Sequence, residues 1–252
     1  MDRLPTVPGN QRLHPGQTRL IRPSPSGVRR PPLDPSIPRS LDPDFATFQT
    51  ACRQLGLELT QPQHDSLVRY TQLLREWNTR LNLVSRRDTD RILTYHVIDS
   101  LAAARLIPPS ARVCDIGTGA GLPGIPIALV RTDVKMYLIE SSQKKSRFLQ
   151  TATTELGLGT VEVLNERAES LPGLDCDVIL SRLAGPLRDV VAYARPHRKP
   201  KGTIVLYKTR DSAEELRKAG RVLARHKLRV TGSYDILLPL SRIPRRFVVL
   251  GS

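Results

Sequence analysis

Apolar residues between positions 45 and 106 recur at helical spacing. A first helix is predicted from apolar residues at steps of three and four, namely Phe45, Phe48, Cys52 and Leu55. Thr60 with Gln63 three residues later predicts a capping box at the start of a second helix. The apolar stripe of that helix consists of Leu67, Tyr70, Leu74, Trp77 and Leu81. A third helix is expected over residues 89–106, ended by Pro108 and Pro109.

After Ser110 the pattern changes to short apolar runs. They cover residues 112–116, 134–139, 161–164, 177–180, 204–207, 236–240 and 247–250. Helical stretches such as 144–156 and 213–224 separate the first five runs, and this alternation indicates a mostly parallel sheet covered on both faces. Only a short linker separates the last two runs, so we expect them to form an antiparallel hairpin. The sequence thus predicts an α/β fold with seven strands, which is similar in outline to the Rossmann-like class I methyltransferase fold.

The first 43 residues differ in composition from the rest of the chain. They hold ten of its 21 prolines, interleaved with Arg, Ser and Gly, and have no apolar period. Such a segment is typical of a disordered basic tail. We therefore expect three parts: the tail over 1–43, a small helical N-terminal subdomain over 44–109, and a cofactor-binding domain over 110–252.

The chain is strongly basic, with a formal net charge of +15. The first 40 residues contribute seven Arg against two Asp, so ten of the fifteen surplus positive charges belong to the rest. Phosphate contacts gain free energy through counterion release, which favours a polyanionic partner. The alternative is a general preference for Arg without a binding role.

The sequence predicts neither a metal site nor a membrane segment. Cys52, Cys114 and Cys176 show no CxxC spacing, and the five histidines form no metal-ligand pattern. Odd, widely spaced cysteines are typical of buried thiols in a reducing compartment. No apolar run reaches the length of a membrane span, and the N-terminus has no apolar signal region. We expect a cytoplasmic monomer.

The glycine-rich segment VCDIGTGAGLPG, residues 113–124, follows the first predicted strand. Glycines fit such a turn because the backbone must bend tightly and approach a ligand. The spacing of Gly119, Gly121 and Gly124 also matches a dinucleotide-binding turn. Asp115 favours S-adenosylmethionine (SAM), because its charge would repel a pyrophosphate but tolerate a cationic methionine group. So does the position of the turn, in the first of five βα units followed by a hairpin.

Further polar residues follow the next predicted strands. Glu140, after the second strand, can bind ribose hydroxyls of either ligand. Residues 165–169 follow the third strand, where adenine usually lies, and Arg182 follows the fourth, where a methyl acceptor would enter. The stretch 195–229 carries twelve positive residues and is a candidate phosphate-binding region.

Five segments together resemble the RsmG (GidB) family of rRNA methyltransferases. They are WN at 77–78 with NL at 82–83, HVIDS at 96–100, residues 115–126, KKSRFL at 144–149, and SR at 181–182. The resemblance spans residues 45–250 and implies methylation of guanine N7 in the decoding-region loop of 16S rRNA. It also implies SAM contacts at Gly117, Leu122, Ala168, Glu169 and Arg182, and a cap over the cofactor cleft from His96 and Asp99.

Three departures from the family pattern affect the expected substrate contacts. Leu183 stands where the family usually has Ala, Thr209 follows Lys208 in place of Gly, and the usual short basic C-terminal tail is missing. The expected chemistry is simple, since guanine N7 carries a lone pair and no proton and needs no general base. Three alternatives stay open: a methyltransferase with another acceptor, a noncatalytic RNA-binding assembly factor, and an NAD-dependent oxidoreductase.

Overall fold

A computed structural model describes residues 42–182, 185–209 and 212–252. Most of the predicted tail therefore lies outside the described residues, as do Leu183 and Arg210. The described chain holds seven strands: β1 Arg112–Ile116, β2 Lys135–Ile139, β3 Val161–Leu164, β4 Cys176–Arg182, β5 Arg198–Lys208, β6 Arg229–Leu237 and β7 Pro244–Gly251.

All seven strands join one sheet in the order β3-β2-β1-β4-β5-β7-β6. The pairs among β1 to β5 are parallel, whereas β7 runs antiparallel to both β5 and β6. The predicted α/β fold with a terminal antiparallel hairpin is confirmed. Because β1 to β5 are parallel, their carboxyl ends lie along one edge of the sheet, which we call the carboxyl edge.

Helices precede and connect the strands. The α-helices are α1 Phe45–Gln54, α2 Gln61–Asn78, α3 Ile98–Leu101, α4 Gly124–Val130, α5 Gln143–Glu155, α6 Leu187–Ala194 and α7 Ala213–Arg225. The capping box predicted at the start of α2 is present, with Thr60 N donating to Gln63 Oε1 at 2.9 Å. Within the described residues, no helix is long and apolar enough to cross a membrane.

The predicted third helix is not continuous. Residues Arg86–Arg91 form a 3₁₀ turn, Ile92–Val97 a π-helical segment and Ile98–Leu101 a short α-helix, before a last 3₁₀ turn at Ala104–Leu106. A π-helical turn bonds residues five apart rather than four, so it shifts the phase of the apolar stripe. This shift accompanies complete burial of the side chains Ile92, Leu93, Val97 and Ile98.

Two apolar cores lie on opposite faces of the sheet. One core combines α1 to α5 with inward side chains such as Val113, Leu138 and Val205, and the other combines α6 and α7 with side chains such as Ile204 and Leu206. Adjacent residues Ile204 and Val205 face opposite cores because side chains alternate along a strand. The helical N-terminal segment thus shares its core with one face of the sheet.

Candidate active site

The glycine-rich turn joins β1 to α4 at the carboxyl edge of the sheet. Gly117, Gly119 and Gly121 have φ values of 67°, 59° and 85°, a left-handed conformation that L side chains rarely adopt. The turn is fixed to the neighbouring strand, because the N–H groups of Gly117 and Thr118 donate to the Ile139 carbonyl at 3.0 and 3.2 Å.

The glycines of this turn serve different purposes. A Cβ at Gly119 would meet only the Gly117 carbonyl oxygen, at 3.9 Å, so the space beside it is open. A Cβ at Gly121 would overlap the Ile125 side chain, and one at Gly124 would overlap Leu138. Gly121 and Gly124 therefore permit close packing of α4, whereas Gly119 borders free volume.

Glu140 connects the glycine-rich turn to the end of β2. Its Oε2 accepts a hydrogen bond from Gly119 N at 3.0 Å, and its Oε1 accepts one from Ser142 N at 2.8 Å. The side chain is buried. Since each carboxylate oxygen can accept two hydrogen bonds, both retain capacity for ligand hydroxyls. The two segments predicted to form one pocket thus touch directly.

Asp115 supports the turn from inside. Its Oδ2 accepts hydrogen bonds from Thr118 Oγ1 at 2.6 Å and from Gly124 N at 2.9 Å, and the residue is only 1% exposed. Burial raises the pKa of this carboxyl to about 6, against the effect of these hydrogen bonds. The Asp115 carboxylate is therefore buried beneath the loop and bonded to it.

The loop after β3 is attached to the same region. Asn165 Nδ2 donates to the Glu140 carbonyl at 2.9 Å. Ala168 is buried in a 3₁₀ turn, Ala168–Ser170, and its carbonyl oxygen lies 2.9 Å from Nε2 of His197. The next side chain, Glu169, is half exposed and lies 3.8 Å from Arg167. Leu122, in the glycine-rich turn, is buried.

Arg182, at the end of β4, is not a free cation. It donates to Asp99 Oδ2 at 3.1 Å, and its side chain is 10% exposed. Arg245 at the start of β7 donates to both oxygens of the same carboxylate, at 2.6 and 2.9 Å. Asp99, 1% exposed, therefore joins the helical segment to β4 and β7. Arg245 was not predicted from the sequence, where its only signal is an arginine at the start of an apolar strand.

His96 lies close to this cluster. Burial, followed by the charge of Arg182, lowers the pKa of its imidazole to about 4, so the ring is neutral near pH 7. Within the described residues neither ring nitrogen has a hydrogen-bond partner, although Nε2 lies 3.6 Å from Asp88 Oδ2. The segment expected to cap the cleft is therefore adjacent to Arg182.

Two buried tyrosines attach the helical segment to the carboxyl edge. Tyr70 Oη, on α2, donates to the Ala120 carbonyl in the glycine-rich turn at 2.7 Å. Tyr207 Oη, on β5, donates to the Ser100 carbonyl at 2.9 Å. The apolar stripe of α2 predicted burial of Tyr70, but its role in holding the turn depends on a contact between residues fifty apart.

The basic stretch 195–229 is only partly available to a polyanion. Lys199 pairs with Asp177, Lys208 with Glu215 and Lys218 with Glu214. Helix α7 runs away from the carboxyl edge. It leads into β6, whose first residue, Arg229, pairs with Gly251 at the end of β7, and this end lies on the side of the sheet opposite the carboxyl edge. The positive charges near the end of α7 therefore lie far from the glycine-rich turn.

No group of three or more His, Cys, Asp or Glu side chains suited to a metal ion occurs within residues 42–182, 185–209 and 212–252. The three cysteines are buried and free. The described site thus consists of backbone amides, carboxylates and arginines.

Comparisons with known proteins identify the family to which this sequence is similar. The family model GidB, rRNA small subunit methyltransferase G, matches residues 63–235. A ribosomal RNA small subunit methyltransferase G from Chlorobaculum tepidum is 37% identical over 207 residues, which cover 81% of this chain and 94% of the relative. The protein of that name from Laribacter hongkongensis is 44% identical over 143 residues, covering 56% of this chain and 69% of its own.

Among solved structures, a SAM dependent methyltransferase from Aquifex aeolicus has a TM-score of 0.49 and 21% identity, covering 66% of this chain and 94% of its own. The family model covers more than half of the chain, and the Chlorobaculum tepidum relative is matched over nearly its whole length. The chain belongs to the rRNA small subunit methyltransferase G family.

Proposed function

We propose that this protein transfers the methyl group of SAM to N7 of a guanine in 16S rRNA. The observation that carries this proposal is the glycine-rich turn bonded to Glu140 beside open space at Gly119. Family membership supports the acceptor, since the relatives are named for the RNA of the small ribosomal subunit.

The residues at the carboxyl edge fit SAM. Backbone close to Gly119 leaves room for a ligand, and Glu140 keeps free lone pairs for the ribose hydroxyls. We assign cofactor binding to Gly117, Gly119, Leu122, Glu140, Ala168, Glu169 and Arg182. When bound there, SAM supplies a methyl group activated by an adjacent sulfonium.

The reaction requires positioning more than acid-base chemistry. Guanine N7 has no proton to remove, so the chain has to hold the acceptor in line with the methyl group. Arg182, at the acceptor side, is the candidate catalytic residue. The hydrogen bond to Asp99 holds the Arg182 guanidinium in one position, so its charge is in place before the RNA binds.

We also propose the form of the substrate, the compartment and the organisation of the chain. The substrate is 16S rRNA or the small ribosomal subunit, and the protein acts in the cytoplasm as a monomer without a metal. The division into a tail over 1–43, a helical subdomain over 44–109 and a SAM-binding domain over 110–252 is part of the same proposal.

Two measurements test this function. Isothermal titration is expected to show binding of SAM and no competition by NAD. Incubation with SAM and small-subunit rRNA from a strain that lacks the protein is expected to produce N7-methylguanine, which mass spectrometry of the digested RNA detects. Absence of SAM binding would favour a noncatalytic assembly factor, and methylation of proteins or small molecules in place of rRNA would change the acceptor.

A further inference from the structure

A polar pocket of about 450 Å³ lies at the carboxyl-terminal end of α2, outside the site described above. We call it the arginine pocket; it is lined by Arg75, Asn78, Thr79, Arg80, Asn82, Arg86 and Thr89. All seven side chains are polar, three are arginines and none is a carboxylate. Its lining therefore offers many hydrogen-bond donors and a positive charge.

The floor of the arginine pocket is held in place. Arg75 makes two hydrogen bonds of 2.8 Å to the Asp42 carboxylate and a third, of 3.2 Å, to the Thr89 carbonyl. Asn78 Oδ1 accepts hydrogen bonds from the N–H groups of Leu83 and Val84, at 2.8 and 3.0 Å. These bonds fold the chain back over the end of α2 and fix the shape of the pocket.

The rim carries donors without partners. Arg80, Asn82 and Arg86 are exposed, and none of their side chains makes an ion pair or hydrogen bond with another described residue. Asp42 balances the charge of Arg75, so the charges of Arg80 and Arg86 remain. A fixed floor and two unpaired guanidinium groups suit a phosphate, which an arginine can bind through two parallel hydrogen bonds.

The arginine pocket is at the same edge of the sheet as the glycine-rich turn. Near the start of α2, Gln63 Nε2 bonds the carbonyl of Val130 at the far end of α4. Further along, Tyr70 bonds Ala120 at the carboxyl edge, and Asn78 is eight residues, or about 12 Å of helix, beyond Tyr70. Helix α2 therefore points its carboxyl-terminal end past the carboxyl edge.

We propose that the arginine pocket binds a backbone phosphate of the RNA strand that carries the target base. This inference rests on the proposed function and adds a second contact site to it. Phosphate contacts fix the register and orientation of a nucleic acid without reading its sequence. The pocket thus positions the RNA, while the cleft at the carboxyl edge receives the base.

The test compares two double variants that change the net charge equally. Arg80→Glu/Arg86→Glu removes both rim cations. The matched control, Arg221→Glu/Arg225→Glu, replaces two exposed arginines on α7, whose end lies at the opposite edge of the sheet and which have no partner among the described residues. Each protein is assayed for methylation of protein-free small-subunit rRNA and of assembled small subunits, for filter binding of protein-free rRNA at several salt concentrations, and for SAM affinity.

The rim variant is expected to raise KM for rRNA about tenfold or more and to lower the salt dependence of RNA binding by about 1 in log–log slope. Its SAM affinity and kcat are expected to stay within about twofold of wild type, and the control to resemble wild type. The charge-conserving Arg80→Lys/Arg86→Lys variant is expected to recover part of the loss, since Lys keeps the charge but not the planar fork.

Three results would overturn the inference. Equal effects of the rim variant and the α7 control would mean that RNA binding depends on net charge and not on the arginine pocket. An unchanged KM with a lower melting temperature would mean that the arginines only stabilise the end of α2. Unchanged binding of protein-free rRNA, with loss of activity on assembled subunits, would assign the pocket to a ribosomal protein. Failure of wild type to transfer a methyl group would contradict the proposed function instead. In that case, the comparison of rRNA binding by the rim variant and the control would still test the arginine pocket.

Discussion

Gly119 and Gly121 are two residues apart, yet a methyl group at each would enter different surroundings. At Gly119 it would project into open space beside Glu140, whereas at Gly121 it would overlap Ile125. Both residues have positive φ, so each substitution carries a backbone cost of about 1 kcal/mol. Comparing the two substitutions therefore separates loss of ligand space at Gly119 from overpacking of the core at Gly121.

We predict that Gly119→Ala weakens SAM binding at least tenfold and lowers the free energy of unfolding by only about 1 kcal/mol. The larger Gly119→Val is expected to abolish binding. Gly121→Ala is expected to cost about 1–3 kcal/mol more than Gly119→Ala, because it overpacks the core. Isothermal titration and urea unfolding measure the two effects. Wild-type SAM affinity in Gly119→Ala would remove this turn from the cofactor site.

The buried imidazole of His96 makes stability depend on pH. Its pKa is lowered from 6.5 to about 4, so between these values the unfolded chain binds more protons than the folded one. Above pH 6.5 the ring is neutral in both the folded and the unfolded chain, so it does not reduce stability there. As the pH falls from 6.5 toward 4, the free energy of unfolding decreases. Asp115 has a raised pKa and acts in the opposite direction.

We predict that the free energy of unfolding of wild type falls more than that of His96→Gln between pH 7 and pH 5. The expected difference is about 2 kcal/mol, from 1.36 kcal/mol for each pH unit below 6.5. The effect of Asp115 is present in both proteins and cancels in the comparison. Urea unfolding at the two pH values provides the measurement, and parallel changes in both proteins would contradict the lowered pKa.

At the scale of elements, α3, β4 and β7 meet at the carboxylate of Asp99. Its two partners, Arg182 and Arg245, are nearly buried, so loss of Asp99 leaves two guanidinium groups without an opposite charge. Removing one member of a buried ion pair typically costs about 3–5 kcal/mol. The carboxylate thus fixes Arg182 as well as the junction of the three elements.

We predict that Asp99→Ala lowers the free energy of unfolding by about 3 kcal/mol or more. The double variant Asp99→Ala/Arg245→Ala is expected to be less destabilised than the sum of the two single variants, because it removes one of the unpaired cations. A double-mutant cycle by urea unfolding tests this. Additive effects would show that Asp99 and Arg245 are not coupled.

The elements that were predicted well are those whose signal is local. Strands β1 and β2 and helix α2 follow their apolar patterns closely, because each buries one stripe or run of side chains. Strand β3 also has the predicted bounds, although its side chains are only partly buried. Strand β6 was predicted over 236–240 but spans Arg229–Leu237. It is an edge strand with mostly exposed side chains, so its hydrogen bonds to β7, rather than apolar burial, define it.

In the candidate site, too, the features with a local sequence signal were predicted and the others were not. The contact between the glycine-rich turn and Glu140 was predicted, because each follows one of two strands whose parallel pairing brings their carboxyl ends together. Arg245 was not, because its contact with Asp99 joins segments far apart in the chain. The arginine pocket, lined by residues within 75–89, was not predicted because it depends on how the chain folds back over the end of α2. The contact of Arg245 with Asp99 joins residues separated by 146 positions, and no local pattern encodes such a pair.

At the scale of the whole molecule, the apolar side chains and the charged groups occupy different regions. The cores cover both faces of the sheet, so the carboxyl edge is left for polar groups. The positive charge of α7 lies toward the opposite edge, while Arg80 and Arg86 lie toward the carboxyl edge. Net charge alone indicated a polyanionic partner but not where it would bind, because that depends on which way each helix runs.

The helices before β1 and one face of the sheet fill a single core, and this continuity has a thermal consequence. The N-terminal helices have no separate interior that would survive loss of the sheet, so neither part can melt alone. Calorimetry of the protein is expected to give one endotherm whose van't Hoff and calorimetric enthalpies agree. With its core shared in this way, the protein is expected to present its carboxyl edge as one stiff body.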